Sequence, residues 1–110
     1  RDFTYVDDVV RGIISVLDAP PTSDVNGPPH RIYNIGNNCS EPLLRFVEVL
    51  EKAIGRPAQR ELAPMQAGDV KETCADIEAI HADHGFKPTI SIDEGIPRFV
   101  AWFQEYYGVS

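Results

Sequence analysis

Few side chains in this 110-residue chain are spaced so that they could do chemistry together. His81 and His84 stand three residues apart in a predicted helix with Asp83 beside them, and imidazole and carboxylate groups are common zinc ligands. No second pair of ligands is evident in the sequence, which favours a solvated polar face. Asp7 and Asp8 form a carboxylate pair at a predicted helix start, where negative charge stabilises the helix dipole. We therefore predict no metal site and no catalytic carboxylate pair.

The sequence lacks the motifs of several large enzyme classes. A dinucleotide-binding loop needs closely spaced glycines between a strand and a helix, whereas the eight glycines here are scattered. No serine is flanked by glycines as in a nucleophile elbow. None of the four tyrosines has a lysine four residues later. We expect the chain to contribute no catalytic and no cofactor-binding residue.

The acidic balance of the chain argues against one class of partner. The formal net charge is −7 at pH 7, so no basic stripe is available to displace the counterions of nucleic acid. No apolar run approaches the roughly 20 residues that span a bilayer, and no signal peptide is evident. The unpaired spacing of Cys39 and Cys74 favours reduced thiols over a disulfide or a metal site. We expect a cytoplasmic protein that binds neither nucleic acid nor membrane.

Hydrophobic periodicity predicts four helices. They are expected over residues 6–18, over roughly 42–54, over a short segment after Asp76, and from Ser91 to about Tyr107. Thr4, Asp76 and Ser91 are predicted to cap three of these helices. Pro97 lies past the first turn of the last one, so we expect either a kink or a later start. The aromatic side chains of the last helix have the spacing of a core face.

Short strands are predicted between the helices, at 31–36 (RIYNIG) and 59–65 (QRELAPM), with a surface loop over 19–30. The resulting fold class is α/β, with two or three short strands. A parallel sheet needs several strands that are covered on both faces, so RIYNIG is expected to lack its neighbours here. The chain also begins with Arg1 rather than methionine. Both features indicate a piece of a longer polypeptide.

Three segments carry a family resemblance: RDFTYVDDVVRGI, RIYNIGNN, and the tail that runs from PMQAGDV to WFQEYY. In this order and spacing they resemble the end of extended short-chain dehydrogenase/reductase enzymes, the NAD-dependent epimerase/dehydratase family that acts on nucleotide sugars. The run MQ-x-GDV, then T-x-AD, GF-x-P and EGI-x-RF-x-x-W, is closest to the UDP-glucuronate 4-epimerase branch. The resemblance implies that residues 1–110 are one C-terminal substrate-binding domain of an extended Rossmann-type enzyme.

The resemblance also implies roles for individual residues. In the family, the arginine of the RDF motif contacts the nucleotide diphosphate, which assigns that role to Arg1. The aspartate of the GD turn accepts hydrogen bonds from the ribose hydroxyls, which assigns that role to Asp69. Many relatives have a second diphosphate-binding arginine where this chain has Gln66, so phosphate binding is expected to depend more on Arg1. Phe3 and Thr73 fall at weaker matching positions near the nucleotide.

The family's chemistry is implied for the longer enzyme and not for this segment alone. A tyrosine base removes the proton of the sugar C4 hydroxyl while hydride passes to NAD and returns to the opposite face of the sugar. The resemblance places these catalytic residues and the NAD-binding loop upstream of Arg1, so the chain by itself is expected to be inactive. Two alternatives remain. One is dehydration or decarboxylation of a nucleotide sugar in the same superfamily, and the other is a non-catalytic nucleotide-binding or interaction module.

Two kinds of partner follow from this interpretation. A UDP-sugar is the expected small-molecule partner, and a homodimer is expected for the longer enzyme. The helix at 6–18 and the segment RIYNIG are expected to expose apolar surface when they lack the rest of a sheet, so the 110-residue chain is expected to self-associate.

Overall fold

Four helices connected by long irregular segments make up the fold in a computed structural model that describes residues 1–22 and 27–110. In chain order the helices are α1 (Val6–Asp18), α2 (Leu43–Ile54), α3 (Glu78–His84) and α4 (Ile92–Tyr107). The radius of gyration is 17.9 Å, against about 13 Å for a compact chain of this length. The described part of the chain is therefore extended, and much of its apolar surface stays uncovered.

The predicted strands at 31–36 and 59–65 are not formed. Within the described residues the only β-type pairing is an isolated antiparallel bridge between Asp2 and Ser40. A strand requires a neighbouring backbone that exchanges N–H and C=O bonds with it. In the described part of the chain, residues 31–36 make no main-chain hydrogen bond to another segment. The β-type composition is present, but the pairing partner is not.

The predicted bounds of α1 agree with the structure, whereas only one of the three predicted N-cap residues, Ser91, occupies its position. Tyr5, not Thr4, occupies the N-cap of α1, and the Thr4 hydroxyl donates to Asp2 Oδ1 at 3.3 Å. Ser91 occupies the N-cap of α4 but makes no side-chain cap hydrogen bond. Ile77, not Asp76, occupies the N-cap of α3. The Asp76 carboxylate nevertheless accepts the main-chain N–H of Glu78 at 2.9 Å, so it stabilises the start of this helix.

Pro97 does not delay the start of the last helix. α4 begins at Ile92, directly after Ser91, and continues past Pro97 to Tyr107. Proline removes one main-chain N–H donor and crowds the carbonyl oxygen four residues earlier. In α4 these effects do not interrupt the helix. The expected late start is therefore wrong, and the alternative of a kink stays a prediction.

The buried side chains form two separate clusters. The first lies between α2 and α4 and contains Val49, Ile92, Ile96 and Val100. The second contains Ile77, Ile80 and Phe86, with α1 and residues 33–35 packed against it. α1 contacts the second cluster, whereas α2 and α4 form the first, and polar contacts also join the two halves of the chain.

The most prominent of these polar contacts is the fully buried carboxylate of Asp8. It accepts the main-chain N–H groups of Thr89 and Ile90, both at 3.0 Å, and it pairs with the Arg11 guanidinium. A buried carboxylate is stable when its oxygens are saturated in this way. The sequence interpretation of Asp8 as a helix-start charge is incomplete, because the residue ties α1 to the segment that precedes α4.

Two apolar helix faces are exposed. Five apolar side chains of α1 are each about half exposed or more, namely Val6, Val10, Ile13, Ile14 and Leu17. Ile32, in the RIYNIG segment, is 77% exposed. Both observations confirm the expected exposure of these segments. The aromatic side chains of α4 were expected in the core, yet Phe99, Trp102, Phe103, Tyr106 and Tyr107 are 41–69% exposed. Helical spacing identified the apolar stripe, but the described residues cover it only in part.

Two remaining sequence predictions concern the first loop and the membrane. The predicted surface loop 19–30 is exposed at 19–22 and 27–30, and its residues 23–26 lie outside the described ones. A search of the described residues finds no helix with the length and hydropathy that crossing a bilayer would require.

Candidate functional site

Arg1 and Asp69, which are 68 positions apart in the sequence, meet in an ion pair. The guanidinium Nη2 of Arg1 donates to Oδ1 of Asp69. The Arg1 side chain is 31% exposed and that of Asp69 is 49% exposed, so a ligand in solution reaches both. A guanidinium has five N–H donors, and one bond to Asp69 leaves donors for phosphate oxygens. The structure thus brings together the two residues that the resemblance singled out.

The backbone of Arg1 is held against the segment that precedes α2. Arg1 N donates to the carbonyl of Glu41 at 2.8 Å, and Glu41 N donates to the carbonyl of Arg1 at 2.9 Å. Asp2 follows at the isolated bridge to Ser40. This antiparallel exchange fixes the chain direction at Arg1, so that its side chain emerges next to residue 69.

A tight turn presents Asp69. The N–H of Asp69 donates to the carbonyl of Gln66 at 3.2 Å, and Gly68 inside the turn has a φ of +86°, a region that glycine enters without steric cost. Asp69 Oδ1 also accepts the N–H of Val70 at 2.9 Å. Gln66 therefore contributes its main-chain carbonyl to the turn. A direct contact of its side chain with a ligand stays a prediction.

The ion pair keeps Asp69 in the form that accepts hydrogen bonds. The hydrogen bond from Arg1 holds the pKa of the Asp69 carboxyl below its ordinary value, partial desolvation opposes this, and the charge of Arg1 adds to the lowering. An aspartate is already ionised at neutral pH, and the lowered pKa extends the ionised form of Asp69 to more acidic pH. An ionised carboxylate accepts well from a diol, so the site offers an anion-binding donor beside a hydroxyl-binding acceptor.

A close backbone approach lies behind the pair. A Cβ added to Gly36 would stand 2.3 Å from the Cβ of Ala75 and 3.1 Å from Oδ2 of Asp2, so only glycine fits there. An open cleft of about 610 Å³ extends between residues 33–36 and 73–76. Arg1 and Asp69 do not line this cleft.

Phe3 and Thr73 are placed differently from Arg1 and Asp69. Phe3 stacks on Phe46 with ring centroids 4.3 Å apart and packs against the α2–α4 core. The Thr73 hydroxyl accepts the main-chain N–H of Asp2 at 2.9 Å. Both are therefore engaged within the chain, and a direct contact of either with a nucleotide stays a prediction.

Asp2 is the residue of this site that sequence reasoning missed. Its carboxylate accepts the main-chain N–H groups of Asn37, Asn38 and Ala75 at 2.8, 3.0 and 2.8 Å. Only one feature of the sequence could have indicated it, namely its position directly after Arg1 in the RDF segment. Its partners become visible only when the three segments are folded together.

The His81–Asp83–His84 trio considered for metal binding is occupied by other contacts. His81 Nδ1 lies 3.0 Å from the carbonyl of Phe86, and Asp83 accepts the Tyr33 hydroxyl at 2.7 Å. The His84 ring packs edge-on against Tyr33, so His84 belongs to a packed contact rather than to the expected solvated face. Within residues 1–22 and 27–110, no group of three or more histidine, cysteine or acidic side chains has metal-site geometry. Cys39 and Cys74 are free and exposed.

The same Asp83 carboxylate affects Tyr33. Partial burial raises the pKa of the Tyr33 hydroxyl, and its hydrogen bond to the Asp83 carboxylate raises that pKa further. A tyrosine hydroxyl is already protonated at neutral pH, and the raised pKa extends this donor form to more alkaline pH. The contact with Asp83 suits a structural role rather than that of a catalytic base.

Comparison with known proteins extends the resemblance over nearly the whole chain. Residues 1–99 match the family model described as GDP-mannose 4,6 dehydratase. A probable UDP-glucuronate 4-epimerase of Rhizobium meliloti is 40% identical over 97% of this chain and 35% of its own length. UDP-glucuronate 4-epimerase 6 of Arabidopsis thaliana is 38% identical over 99% of this chain and 25% of its own length. The chain spans about a third or less of the curated relatives that it matches.

Solved structures show the same backbone arrangement. The UDP-glucuronic acid 4-epimerase of Bacillus cereus, crystallised with UDP-glucuronic acid and NAD, superposes with a TM-score of 0.81 at 28% identity, over 97% of this chain and 32% of that one. The fold is therefore that of the C-terminal part of a Rossmann-type enzyme, although the strands of that fold are not formed among the residues described here. By the family match and these superpositions, the chain belongs to the GDP-mannose 4,6 dehydratase family of NAD-dependent epimerases and dehydratases, within the short-chain dehydrogenase/reductases.

Proposed function

We propose that this chain is the UDP-sugar-binding part of a nucleotide-sugar 4-epimerase, of the UDP-glucuronate 4-epimerase type. The observation that carries the proposal is the exposed pair of Arg1 and Asp69, one cationic donor and one anionic acceptor in contact. A nucleoside diphosphate carries an anionic diphosphate on O5′ and a diol on C2′ and C3′ of the same ribose, so it offers an acceptor for Arg1 and donors for Asp69. The names of the relatives at 38–40% identity support the epimerase assignment.

Binding would use the two groups in parallel. The Arg1 guanidinium binds diphosphate oxygens, since its planar fork matches phosphate geometry and its charge is permanent. The Asp69 carboxylate accepts the ribose hydroxyls. Both contacts are remote from the sugar carbon that reacts, so their role is to orient the sugar rather than to carry out the chemistry.

The residues of this chain do not fit the role of an NAD site. The glycine that ends the predicted strand, Gly36, faces Ala75 and Asp2 at a distance that leaves no room for a pyrophosphate. NAD supplies hydride transfer in enzymes of this family. We assign none of the residues in this chain to NAD and none to catalysis, and the 110-residue chain alone is expected to be inactive.

A second candidate, a nucleotide-sugar dehydratase, has one observation in its favour. The family model that matches residues 1–99 carries a dehydratase description. The dTDP-glucose 4,6-dehydratase of Bacillus anthracis also superposes with a TM-score of 0.74 over 98% of this chain, but at 20% identity this shows the fold alone. The higher identity to proteins named as epimerases makes epimerisation our choice.

Further parts of the proposal concern organisation and location. We propose that residues 1–110 form one substrate-binding domain, that the longer enzyme is a cytoplasmic homodimer, and that the 110-residue chain self-associates through the exposed face of α1. Sedimentation of the wild type and of Ile13→Lys tests the last point. The lysine variant is expected to sediment closer to the monomer, because a charge within an apolar contact must be desolvated. A wild type that is monomeric at high concentration contradicts this part.

Calorimetry with UDP tests the binding proposal directly. Removing either group of the pair is expected to weaken UDP binding by about tenfold or more, the range for one hydrogen bond to a charged partner. Asp93→Ala is the matched control, because Asp93 is an exposed aspartate paired with Arg45 at 2.6 Å elsewhere on the surface. It is expected to bind UDP as the wild type does.

Two ligand comparisons separate the roles of Arg1 and Asp69. Asp69→Ala also releases Arg1, so loss of affinity alone does not identify the ribose contact. If Asp69 holds the ribose, 2′-deoxy-UDP binds the wild type more weakly than UDP does, whereas Asp69→Ala binds the two ligands equally. If Arg1 holds the diphosphate, Arg1→Ala removes the preference for UDP over uridine. Unchanged UDP affinity in both variants would reject the proposal.

A further inference from the structure

The carboxylate of Asp2 joins three segments that are distant in the sequence. It accepts N–H groups of Asn37 and Asn38, 35 and 36 positions away, and of Ala75, 73 positions away. The N–H of Asp2 in turn donates to the Thr73 hydroxyl at 2.9 Å. Carboxylate acceptors form stronger hydrogen bonds to backbone N–H groups than neutral acceptors do. Asp2 is thus the point at which residues 1–4, 36–38 and 73–75 are held together.

This junction lies between the two residues of the candidate site. Arg1 immediately precedes Asp2, and Asp69 lies only four residues before Thr73. Within this part of the chain, the contacts of Asp2 with Thr73 and Ala75 are the hydrogen bonds that tie the Arg1 segment to the segment that follows Asp69. The Asp2 carboxylate itself makes no contact with Arg1 or Asp69 in the structure. A positioning influence of Asp2 on the pair would therefore pass through the backbone.

We propose that Asp2 is the positioning residue of the site, which holds the Arg1 guanidinium opposite the Asp69 carboxylate by joining residues 1–4 to residues 73–75. The identity of the ligand, a UDP-sugar, rests on the proposed function. The placement of Arg1 opposite Asp69 does not. Thr73, which the resemblance placed near the nucleotide, takes part in the same set of contacts, because its hydroxyl accepts the Asp2 N–H. Asp2 touches no reacting group and is not a catalytic residue.

When Asp2 is replaced by asparagine, a positioning role and a simple charge effect predict opposite changes in the pKa of Asp69 and in the affinity for UDP. Asp2 carries a negative charge and directly follows Arg1, whose guanidinium pairs with Asp69. If only its charge mattered, Asp2→Asn would lower the pKa of the Asp69 carboxyl and strengthen UDP binding, because a like charge is removed. If Asp2 positions the pair, the amide NH₂ faces an N–H donor, the junction opens, and Arg1 no longer reaches Asp69. The pKa of Asp69 then rises towards its ordinary value, and UDP binds more weakly.

The experiment measures both quantities on three variants. Carboxyl-carbon NMR titration gives the pKa of Asp69, and calorimetry gives the affinity for UDP. Asp2→Asn is expected to raise the pKa of Asp69 and to weaken the affinity for UDP by about tenfold, which is the effect of losing one charge-assisted contact. Asp7→Asn is the matched control, since it removes the same charge from an exposed position five residues away. It is expected to change neither quantity appreciably.

Thr73→Val keeps the test decisive if Asp2→Asn fails to fold, which circular dichroism would show. The change is nearly isosteric and alters no charge, and it removes only the acceptor of the Asp2 N–H. It is expected to move both quantities in the same direction as Asp2→Asn, by a smaller amount. An unchanged or lowered Asp69 pKa in every folded variant overturns the inference.

The two readouts also separate this inference from the proposed function. If the wild type and all variants bind no UDP but Asp2→Asn raises the pKa of Asp69, the proposed function fails and the positioning role stands. If UDP binds the wild type and Asp2→Asn changes neither quantity, the positioning role fails and the proposed function stands.

Discussion

Asp8 and Asp2 use the same device in two regions of the molecule with different results. Each carboxylate accepts main-chain N–H groups from a distant segment: Asp8 from Thr89 and Ile90, and Asp2 from residues 37, 38 and 75. Asp8 is fully buried, whereas the side chain of its guanidinium partner, Arg11, is 51% exposed. Asp2 is only partly buried, and the exposed pair of Arg1 and Asp69 adjoins it.

The difference shows how to choose a site in an acidic chain. With 17 aspartate and glutamate residues, carboxylates and their contacts are too common to indicate function. Asp8 is saturated by its own chain and has no access to solvent, so its contribution is stability. Asp69 is reached by solvent and contacts a cation that has spare donors, so it is able to exchange its contacts with a ligand. Accessibility and unused bonding capacity distinguish the two regions.

The largest effect is expected at Asp8. Asp8→Ala leaves the N–H groups of Thr89 and Ile90 without their acceptor and removes the partner of Arg11. We expect the free energy of unfolding to fall by about 3 kcal/mol, because breaking a buried charged contact leaves desolvated donors unpaired. Urea denaturation followed by circular dichroism measures it.

Asp7→Ala is the matched control for Asp8. Asp7 precedes Asp8 in the first turn of α1, but its side chain is 64% exposed. Its carboxylate lies 3.9 Å from the Arg98 guanidinium, which makes a long ion pair. A change of no more than about 0.5 kcal/mol is expected for such a surface substitution. Equal losses in Asp7→Ala and Asp8→Ala would mean that helix-start charge, and not the link to Thr89 and Ile90, accounts for the effect of Asp8.

A smaller effect is expected at the backbone contact behind the candidate site. Gly36→Ala places a Cβ 2.3 Å from the Cβ of Ala75, and neither atom belongs to a flexible side chain. Overpacking of this kind costs about 1–3 kcal/mol. We expect this loss in urea denaturation and a weaker affinity for UDP in calorimetry, because residues 36–38 and 73–75 are forced apart at Asp2.

The double variant Gly36→Ala with Ala75→Gly tests the cause. Removing the Ala75 methyl restores the space, so the double variant is expected to recover most of the stability and of the UDP affinity, as coupled neighbours do in a double-mutant cycle. Additive losses would show that Gly36 is needed for its conformation and not for its contact with Ala75.

Local patterns in the sequence predicted the helices well. The apolar spacing from Val6 to Leu17 gave the bounds of α1, and Gly55 and Gly85, both with positive φ, end α2 and α3 as expected. These features depend on residues within one or two turns of each other, so the sequence contains them directly. The family resemblance likewise singled out Arg1 and Asp69, which the fold brings together.

Features that depend on distant partners were not predictable in the same way. RIYNIG has the composition of a strand, but a strand exists only when another backbone pairs with it. The aromatic stripe of α4 has core spacing, yet spacing does not tell whether anything covers it. Asp2 and Asp8 looked like ordinary acidic residues, because their partners at 75 and 89–90 are more than 70 positions away.

The smallest effect on stability is expected at the ion pair itself. Asp69→Asn keeps the shape of the side chain and removes its charge, and exposed ion pairs add little to folding. Because the folded pKa of Asp69 is held below its ordinary value by Arg1, its contribution is present above about pH 3.9, the unfolded aspartate value, and is lost as pH falls through the folded pKa. The wild type and Asp69→Asn are therefore expected to have slightly different urea midpoints at pH 7 and equal midpoints well below the folded pKa. Asp93→Asn is the control for a surface aspartate outside the site. A midpoint difference that grows on acidification would have the wrong sign for a depressed pKa, and would show that Arg1 does not hold Asp69 in the folded chain.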